Sequence, residues 1–191
     1  MSRVIVQAFV TLDGFAAGSD GALDFIADST NVDSVDSEAA RDQLDFVSGV
    51  GTILLGADTY RMFSGYWPEQ TVETELIADA LNSTPKVVFS STLESAPWGK
   101  WDDARIVRGS ASDEVRRLRE EEEGDMVVWG SLSVVHSLMQ DGLVDEFHLW
   151  TCPVVLGSGK RLFPEGIDKT PLELLEARDR DGVASLRLRP V

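Results

Sequence analysis

This chain of 191 residues has few of the side chains that build disulfide frameworks and metal centres. It contains one cysteine, Cys152, so a disulfide within the chain is excluded. Its two histidines, His136 and His148, are too few for a typical zinc site, and we expect no bound metal. The lack of a disulfide framework favours a reducing compartment, and we expect a cytoplasmic protein.

The chain also lacks long apolar segments, linkers and positive charge. Its apolar runs are no longer than strands, so we expect no membrane-spanning helix, and its amino terminus has no signal-peptide pattern. A net charge of −16 excludes partners that need a basic face, such as nucleic acid and anionic membranes. We expect a single domain over residues 1–191 and a small-molecule partner. The acid-rich, lysine-poor composition suits a cytoplasm of high salt, with an acidic protein from a GC-rich organism as the alternative.

Strand and helix patterns alternate along most of the sequence. Short runs rich in valine and isoleucine, beginning with 3–10, are separated by amphipathic stretches. This alternation predicts a three-layer α/β fold with a mostly parallel central sheet and helices on both faces. Segments 172–179 and 183–189 predict a hairpin that forms an antiparallel C-terminal edge. Two further segments, 11–31 and 153–171, are predicted as long loops.

Three short segments of small and hydroxyl-bearing residues follow predicted strands. They are 56–60 (GADTY), 90–92 (SST) and 130–131 (GS). Glycine permits a tight turn, and the free N–H groups at a helix start attract phosphate. Ligands bind at the carboxyl ends of strands in an open α/β sheet, so the three segments together favour a nucleotide site. One such segment alone is equally typical of a helix cap.

Familiar catalytic and phosphate-binding motifs are absent. The sequence has no G-x-G-x-x-G or P-loop pattern, and GSGK at 157–160 favours a structural turn. No nucleophile–base pair stands out, which fits chemistry supplied by a cofactor. Asp13 is the candidate catalytic residue, because Asp13 and Gly14 follow the first strand, where the backbone can lie against a flat ring. Phe25 and Trp67 are candidates for the wall of a substrate pocket. The alternatives are an Asp-Gly turn and aromatic core residues.

Five segments in a fixed order point to a known family. They are 9–15 (FVTLDGF), 54–60 (LLGADTY), 86–93 (KVVFSSTL), 128–132 (VWGSL) and 142–163 (GLVDEFHLWTCPVVLGSGKRLF). Together they resemble the dihydrofolate-reductase-like superfamily. The resemblance is specifically to the reductase domain of bifunctional riboflavin-biosynthesis deaminase-reductases and to its stand-alone relatives. It spans nearly the whole chain, and the last segment is the most specific.

The resemblance implies a reductase that takes hydride from NADPH. It places Gly56 and Thr59 at the cofactor phosphates, Ser90 and Ser91 near the adenosine 2′-phosphate, Gly130, Ser131 and Leu132 beneath the pyrophosphate, and Asp13 and Gly14 beside the nicotinamide and substrate. The implied substrate is a pyrimidine- or pterin-like heterocycle, as for 5-amino-6-(5-phosphoribosylamino)uracil reductase of riboflavin biosynthesis. The resemblance also implies a homodimer, with the terminal strands as a candidate interface.

Three positions or sets of positions depart from the family. The family commonly has arginine where this chain has Ala57. Loss of such a charge-assisted contact to the 2′-phosphate costs about 1.5–3 kcal/mol, so NADH becomes an alternative cofactor. The usual Gly-Gly is Gly130-Ser131, a change that stand-alone relatives tolerate. The acidic residue of the folate enzyme has no certain counterpart among Asp36, Glu38 and Asp42, so reduction of dihydrofolate itself is not expected. A non-catalytic ligand-binding or sequestering protein that retains the fold is the alternative function.

Overall fold

The elements are described from a computed structural model, which covers residues 2–29, 37–121 and 124–191. The strands are β1 (Val4–Thr11), β2 (Phe15–Ala17), β3 (Val50–Gly56), β4 (Lys86–Phe89), β5 (Arg105–Val107), β6 (Asp125–Trp129), β7 (Glu146–Cys152), β8 (Lys160–Arg161), β9 (Leu172–Arg180) and β10 (Val183–Pro190). The helices are α1 (Asp24–Ser29), α2 (Glu38–Ser48), α3 (Ala57–Ser64), α4 (Ala78–Ser83), α5 (Ala111–Glu121) and α6 (Leu132–Gln140), with a 3₁₀ helix at Trp67–Glu69.

Eight of these strands form one central sheet, in the order β5-β4-β3-β6-β1-β7-β10-β9. The first six strands of this order, β5, β4, β3, β6, β1 and β7, run parallel to one another. Strand β10 is antiparallel to both of its neighbours, β7 and β9. The expected α/β fold, with a mostly parallel sheet and an antiparallel C-terminal edge, is confirmed. Because parallel strands end at the same edge, the carboxyl ends of β5, β4, β3, β6, β1 and β7 form one rim of the sheet.

Helices cover both faces of the sheet, because side chains along each strand alternate between two hydrophobic cores. On β3, Leu54 belongs to the core that contains residues of α5 and α6. Its neighbours Ile53 and Leu55 belong to the other core, with residues of α2, α3 and α4. A strand buried on both faces reads as a continuous apolar run, which explains why the sequence pattern identified β3. No helix of the described residues is long and apolar enough to cross a membrane.

Both segments that the sequence predicts as long loops contain regular structure, so that prediction is wrong in part. The described residues of 11–31 include β2 and α1, and β8 lies within 153–171. Strands β2 and β8 pair antiparallel and form a second, two-stranded sheet. Strands of three and two residues are too short to show an alternating pattern, and only pairing between distant segments defines them.

A cluster of ion pairs ties the amino ends of the central strands together, at the opposite end of the sheet from the rim. The carboxylate of Glu146 accepts hydrogen bonds from Arg3 (2.5 Å), His148 (2.9 Å) and Arg187 (3.1 Å). Burial raises the pKa of Glu146, but these hydrogen bonds and the charge of Arg3 outweigh that effect and lower the pKa to about 2. The folded protein therefore holds this carboxylate in its charged form.

Replacement of Glu146 should make the protein less sensitive to acid. A folded-state pKa below the unfolded value contributes stability above about pH 4.5, and this contribution is lost as the pH falls toward 2. We expect Glu146→Gln to lower the free energy of unfolding by about 2–3 kcal/mol at pH 7, with a difference that shrinks steadily below pH 4.5. Urea unfolding at pH 7, 4.5 and 3 measures it.

The matched control is Glu173→Gln, because Glu173 pairs with Arg189 on the surface of the same sheet and is half-exposed. An exposed pair contributes roughly 0–1 kcal/mol, so this variant should stay close to the wild type at every pH. A Glu146→Gln deficit that does not change between pH 7 and 3 would contradict the assignment.

Candidate functional site

A long cleft runs along the rim formed by the carboxyl ends of the parallel strands. Its volume is about 1170 Å³, and it extends from the residues after β4 to Trp150 on β7. All three segments that the sequence singles out reach it. The lining residues from these segments include Gly56, Ala57, Thr59, Ser90, Ser91, Gly130, Ser131 and Leu132. The fold thus brings together the candidate cofactor residues that lie far apart in the sequence, except for Gly14.

The turn after β6 is bonded directly to the start of α3. The Gly56 N–H donates to Ser131 Oγ (2.7 Å), and the Ser131 N–H donates to Thr59 Oγ1 (3.0 Å). The Ser131 hydroxyl donates in turn to the carbonyl oxygen of Trp129 (3.0 Å). Ser131 has a φ of 51°, a left-handed conformation that costs a non-glycine residue roughly 1–2 kcal/mol. The hydrogen bonds offset this cost and hold two of the segments in a fixed relation.

Helices α3 and α6 both begin at the cleft without a side-chain cap. Residues 57–59 and 132–134, which form their first turns, line the cleft. The first N–H groups of a helix have no partner within the helix and carry partial positive charge, so these two starts attract an anionic group. A Cβ at position 130 would lie 3.1 Å from Thr59 Oγ1. Glycine there keeps the turn compact, and this arrangement fits the phosphates of a dinucleotide.

A buried glutamine orients an indole in the wall of the cleft. Gln7 Oε1 accepts hydrogen bonds from Trp129 Nε1 (2.5 Å) and Gln43 Nε2 (2.8 Å), and Gln7 Nε2 donates to Gln43 Oε1 (2.9 Å). The Trp129 ring centroid lies 6.1 Å from that of Phe63, and the Phe63 and Trp67 centroids are 6.2 Å apart. These three aromatic residues all line the cleft and suit a flat ligand.

The segment 90–92 forms a tight, hydroxyl-rich turn at the far end of the cleft. Ser90 Oγ accepts hydrogen bonds from the N–H groups of Thr92 (3.2 Å) and Leu93 (3.1 Å). Arg108, directly after β5, donates from Nη1 to the Ser91 carbonyl (3.0 Å) and from Nη2 to the Leu93 carbonyl (2.7 Å). The turn is therefore held from within by a hydroxyl and from outside by a guanidinium.

Few charged groups line the cleft. Among the described lining residues, the carboxylates are Asp20, Asp58 and Glu75, and the cation is Lys160. Asp58 is paired with Arg61 (2.8 Å). In the described part of the chain, no group of three or more His, Cys, Asp or Glu side chains is placed to hold a metal ion.

Asp13 lies outside the cleft lining, with its carboxylate engaged by neighbouring groups. It accepts hydrogen bonds from Thr11 Oγ1 (2.6 Å) and from the N–H groups of Leu156 (3.2 Å) and Gly157 (2.8 Å). The Thr11 hydrogen bond is the main reason that the pKa of Asp13 lies below its ordinary value. This geometry joins the turn after β1, which includes Gly14, to the segment before β8.

Of the other residues that the sequence suggested, some line the cleft and others lie away from it. Trp67 lines the cleft, whereas the buried ring of Phe25 does not. Of the acidic residues compared with the folate enzyme, Asp36 lies outside the described residues. The other two, Glu38 (3.0 Å) and Asp42, pair with the buried Arg180.

Several lining residues were missed by the sequence reasoning. Gln7 had a detectable signal, because it is a polar side chain inside the apolar strand VIVQAFV. Lys160 is one of four lysines in the chain, but the GSGK pattern was interpreted as a turn alone. Arg108 does not line the cleft itself but holds the lining turn at 90–92, and it had no sequence signal because its partners lie on the turn after the neighbouring strand.

Comparison with known proteins agrees with this fold. A model of the RibD C-terminal domain family matches residues 2–184. The uncharacterized protein YyaP of Bacillus subtilis (strain 168) is 29% identical over 178 residues, which are 92% of this chain and 88% of that protein. A second uncharacterized protein of that organism, YwjB, is 26% identical over 174 residues, 90% of this chain and 88% of that protein.

Solved structures show the same architecture. A crystal structure from Shewanella sp. PV-4, named provisionally as a riboflavin biosynthesis protein, has a TM-score of 0.78 at 20% identity, with 99% of each chain covered. The Thermotoga maritima diaminohydroxyphosphoribosylaminopyrimidine deaminase/5-amino-6-(5-phosphoribosylamino)uracil reductase has a TM-score of 0.66 at 14% identity. The match covers all of this chain and 57% of that longer one. The chain thus belongs to the family of RibD C-terminal domains.

Proposed function

We propose that this protein is an NADPH-dependent reductase of a pyrimidine- or pterin-like heterocycle. The observation that supports it best is the convergence of three separate segments on one cleft, with two uncapped helix starts at its centre. Family membership supports a reductase-like fold, and the longer Thermotoga maritima relative is named as a reductase of a ribosylated aminopyrimidine.

The size of the cleft supports two ligands rather than one. Pockets for a single drug-sized ligand have volumes of about 300–1000 Å³, and this cleft exceeds that range at about 1170 Å³. It crosses the ends of five neighbouring strands, β4, β3, β6, β1 and β7. Four steps of roughly 4.8 Å between strands give about 19 Å, enough for an extended dinucleotide beside a substrate.

The order of the strands suggests how the ligands are arranged. The helix starts at β3 and β6 suit the pyrophosphate, and the turn at 90–92 suits the adenosine end. The opposite end, with Gln7 and Phe9 on β1 and Trp150 on β7, is left for the nicotinamide and the heterocycle. The rings of Phe9 and Trp150 are 5.5 Å apart and offer an apolar surface there.

In this arrangement the chain's residues bind and orient while the bound cofactor supplies the hydride. The Gln7 amide holds the Trp129 indole, and the apolar lining excludes water from the region where hydride passes. Reduction of a C=N or C=O group also needs a proton. Asp20, which follows β2, and Lys160, which begins β8, both line the cleft, and they are the candidate proton-carrying groups at that end.

Titration with NADPH tests the proposal, because three of the five tryptophans line the cleft. We expect saturable quenching of tryptophan fluorescence, followed by oxidation of NADPH when the right pyrimidine or pterin is added. The first compound to test is the ribosylated aminopyrimidine named for the Thermotoga maritima relative. No binding of NADPH or NADH by folded protein would refute the proposal. Binding without turnover across the panel would favour a non-catalytic ligand-binding protein.

Gly130→Ala should weaken cofactor binding selectively. The new Cβ would lie 3.1 Å from Thr59 Oγ1, so Thr59 must move and its hydrogen bond from the Ser131 N–H is strained. We expect the Kd for NADPH to rise roughly fivefold, measured by fluorescence titration, since about one hydrogen bond is weakened.

Gly142→Ala is the matched control for this substitution. Gly142 also has a positive φ, 63° against 54° for Gly130, but nothing lies within 4 Å of its added Cβ. Both variants should lose about 1 kcal/mol of stability from backbone strain. If Gly142→Ala weakens NADPH binding as much as Gly130→Ala does, the loss comes from general destabilisation, and the proposal that the cofactor binds at the turn 130–131 is contradicted.

We also propose that two copies of the chain pair through β9. Among the described strands, β9 is the edge of the central sheet, so one side of its backbone has no partner strand there. Its leucines are exposed: Leu172 by 38%, Leu174 by 56% and Leu175 by 38%. An edge strand with exposed leucines is prone to pair with another chain, and a homodimer would cover these side chains.

Leu174→Glu should convert such a dimer into a monomer, because it places a charge in the apolar contact. Light scattering coupled to size-exclusion chromatography measures the mass directly. Leu12→Glu is the matched control, since Leu12 is 70% exposed and lies in the turn after β1. A monomeric wild type, or a Leu174→Glu variant that remains dimeric, would refute pairing through β9.

A further inference from the structure

Arg108 differs from most arginines of this chain in its partners. Arg105 on the preceding strand β5 pairs with Glu114 (2.5 Å), and many other arginines also pair with carboxylates. Arg108 makes no ion pair with a carboxylate of residues 2–29, 37–121 or 124–191. Its guanidinium donates two hydrogen bonds to backbone carbonyls and retains three of its five N–H donors. In a chain with a net charge of −16, this leaves a positioned cation available for an anionic ligand.

The position of Arg108 follows from the strand order. The strands β6, β3, β4 and β5 are consecutive neighbours. Their carboxyl ends therefore place Gly130, Gly56, Ser90 and Arg108 in a row along the rim. The pairing of Phe89 with Val107 sets Ser90 beside Arg108, and the Ser90 N–H donates to the Val107 carbonyl (3.0 Å). Two steps of roughly 4.8 Å put the guanidinium end of the row about 10 Å from the start of α3.

The start of α3 offers no side-chain cation of its own. Position 57 is alanine, and the exposed carboxylate of Asp58 follows it, paired with Arg61. The helix start suits phosphates bound by backbone N–H groups, but it gives no bidentate contact to a further phosphate group. At the 90–92 turn, the exposed Ser91 lies directly against the Arg108 guanidinium. An additional phosphate at the adenosine end of a dinucleotide would find both a hydroxyl and a planar cation there.

We propose that Arg108 selects NADPH over NADH by binding the adenosine 2′-phosphate at the 90–92 turn. The inference rests on the proposed function. In it, Arg108 after β5 supplies the positive charge that alanine at position 57 does not provide. The two backbone hydrogen bonds orient the guanidinium before the ligand arrives, which lowers the entropic cost of the contact. The Ser91 hydroxyl adds a second donor to the same phosphate.

Binding of paired ligands that differ only in the 2′-phosphate tests the proposal. NADPH is compared with NADH, and adenosine 2′,5′-bisphosphate with AMP, by fluorescence titration or by displacement. In Arg108→Ala we expect the affinity for both 2′-phosphorylated ligands to fall about tenfold, since a charge-assisted contact is lost. The affinity for NADH and AMP should change less than twofold. Arg108→Lys should retain part of the preference, because it keeps the charge without the planar fork.

Arg105→Ala is the matched control. It removes an exposed arginine from β5, the strand that directly precedes Arg108, but one that pairs with Glu114. Its preference for NADPH should equal that of the wild type. Equal weakening of NADPH and NADH in Arg108→Ala would show that Arg108 only shapes the turn, and would overturn the proposal. An unchanged NADPH affinity would overturn it as well.

The wild type separates this inference from the proposed function. If it binds NADPH and NADH equally well, selection by Arg108 is refuted while the reductase proposal stands. If it binds neither cofactor, the proposed function fails and the role of Arg108 fails with it.

Discussion

The hydrogen bonds between the turn after β6 and the start of α3 are the constraint on which the cleft depends. Ser131 sits in a left-handed conformation that it would not adopt alone, and its N–H and hydroxyl are both engaged with residues 56–59. Strain of this kind persists where the surrounding structure compensates for it, and such positions concentrate at functional sites. Here the compensation has a direct result. Two helix starts from opposite faces of the sheet are held side by side, with the first turns of both helices along one cleft.

Charged side chains are used differently at the two ends of the central sheet. At the amino ends of the strands, Glu146 pairs with Arg3 and Arg187, and hydrogen bonds and the charge of Arg3 lower the pKa of this buried carboxylate to about 2. At the carboxyl ends, the cations Arg108 and Lys160 have no carboxylate partner among the described residues. A protein with 33 acidic residues has enough carboxylates to pair every cation. The cations left unpaired at the rim are therefore the places where the chain can accept negative charge from a ligand.

The small sheet of β2 and β8 shows how the loops contribute. Asp13 accepts N–H groups of residues 156 and 157, and the Arg161 guanidinium stacks on the Phe15 ring with 4.6 Å to its centroid. These contacts place Lys160 at one end of the cleft. Asp13 thus acts on the cleft through the position of a neighbouring segment, and it remains a sequence-based candidate for catalysis without a place in the lining. The contact needs a short acidic side chain at a tight turn, which is the pattern that drew attention to it in the sequence.

The sequence by itself determined the class of fold, the alternation of strands and helices that builds the central sheet, and the segments at which strands end in glycine and hydroxyl residues. These properties depend on local burial patterns and turn chemistry, which neighbours along the chain are sufficient to specify. Its motifs also identified the family, which the match over residues 2–184 confirms. Only the tertiary structure decided which side chains meet: Gln7 with Trp129, Asp13 with the segment before β8, and Arg108 with the turn at 90–92. Each of these contacts joins two separate segments of the chain that the sheet brings together. The order of strands in the sheet is set by the packing of two cores rather than by any local pattern.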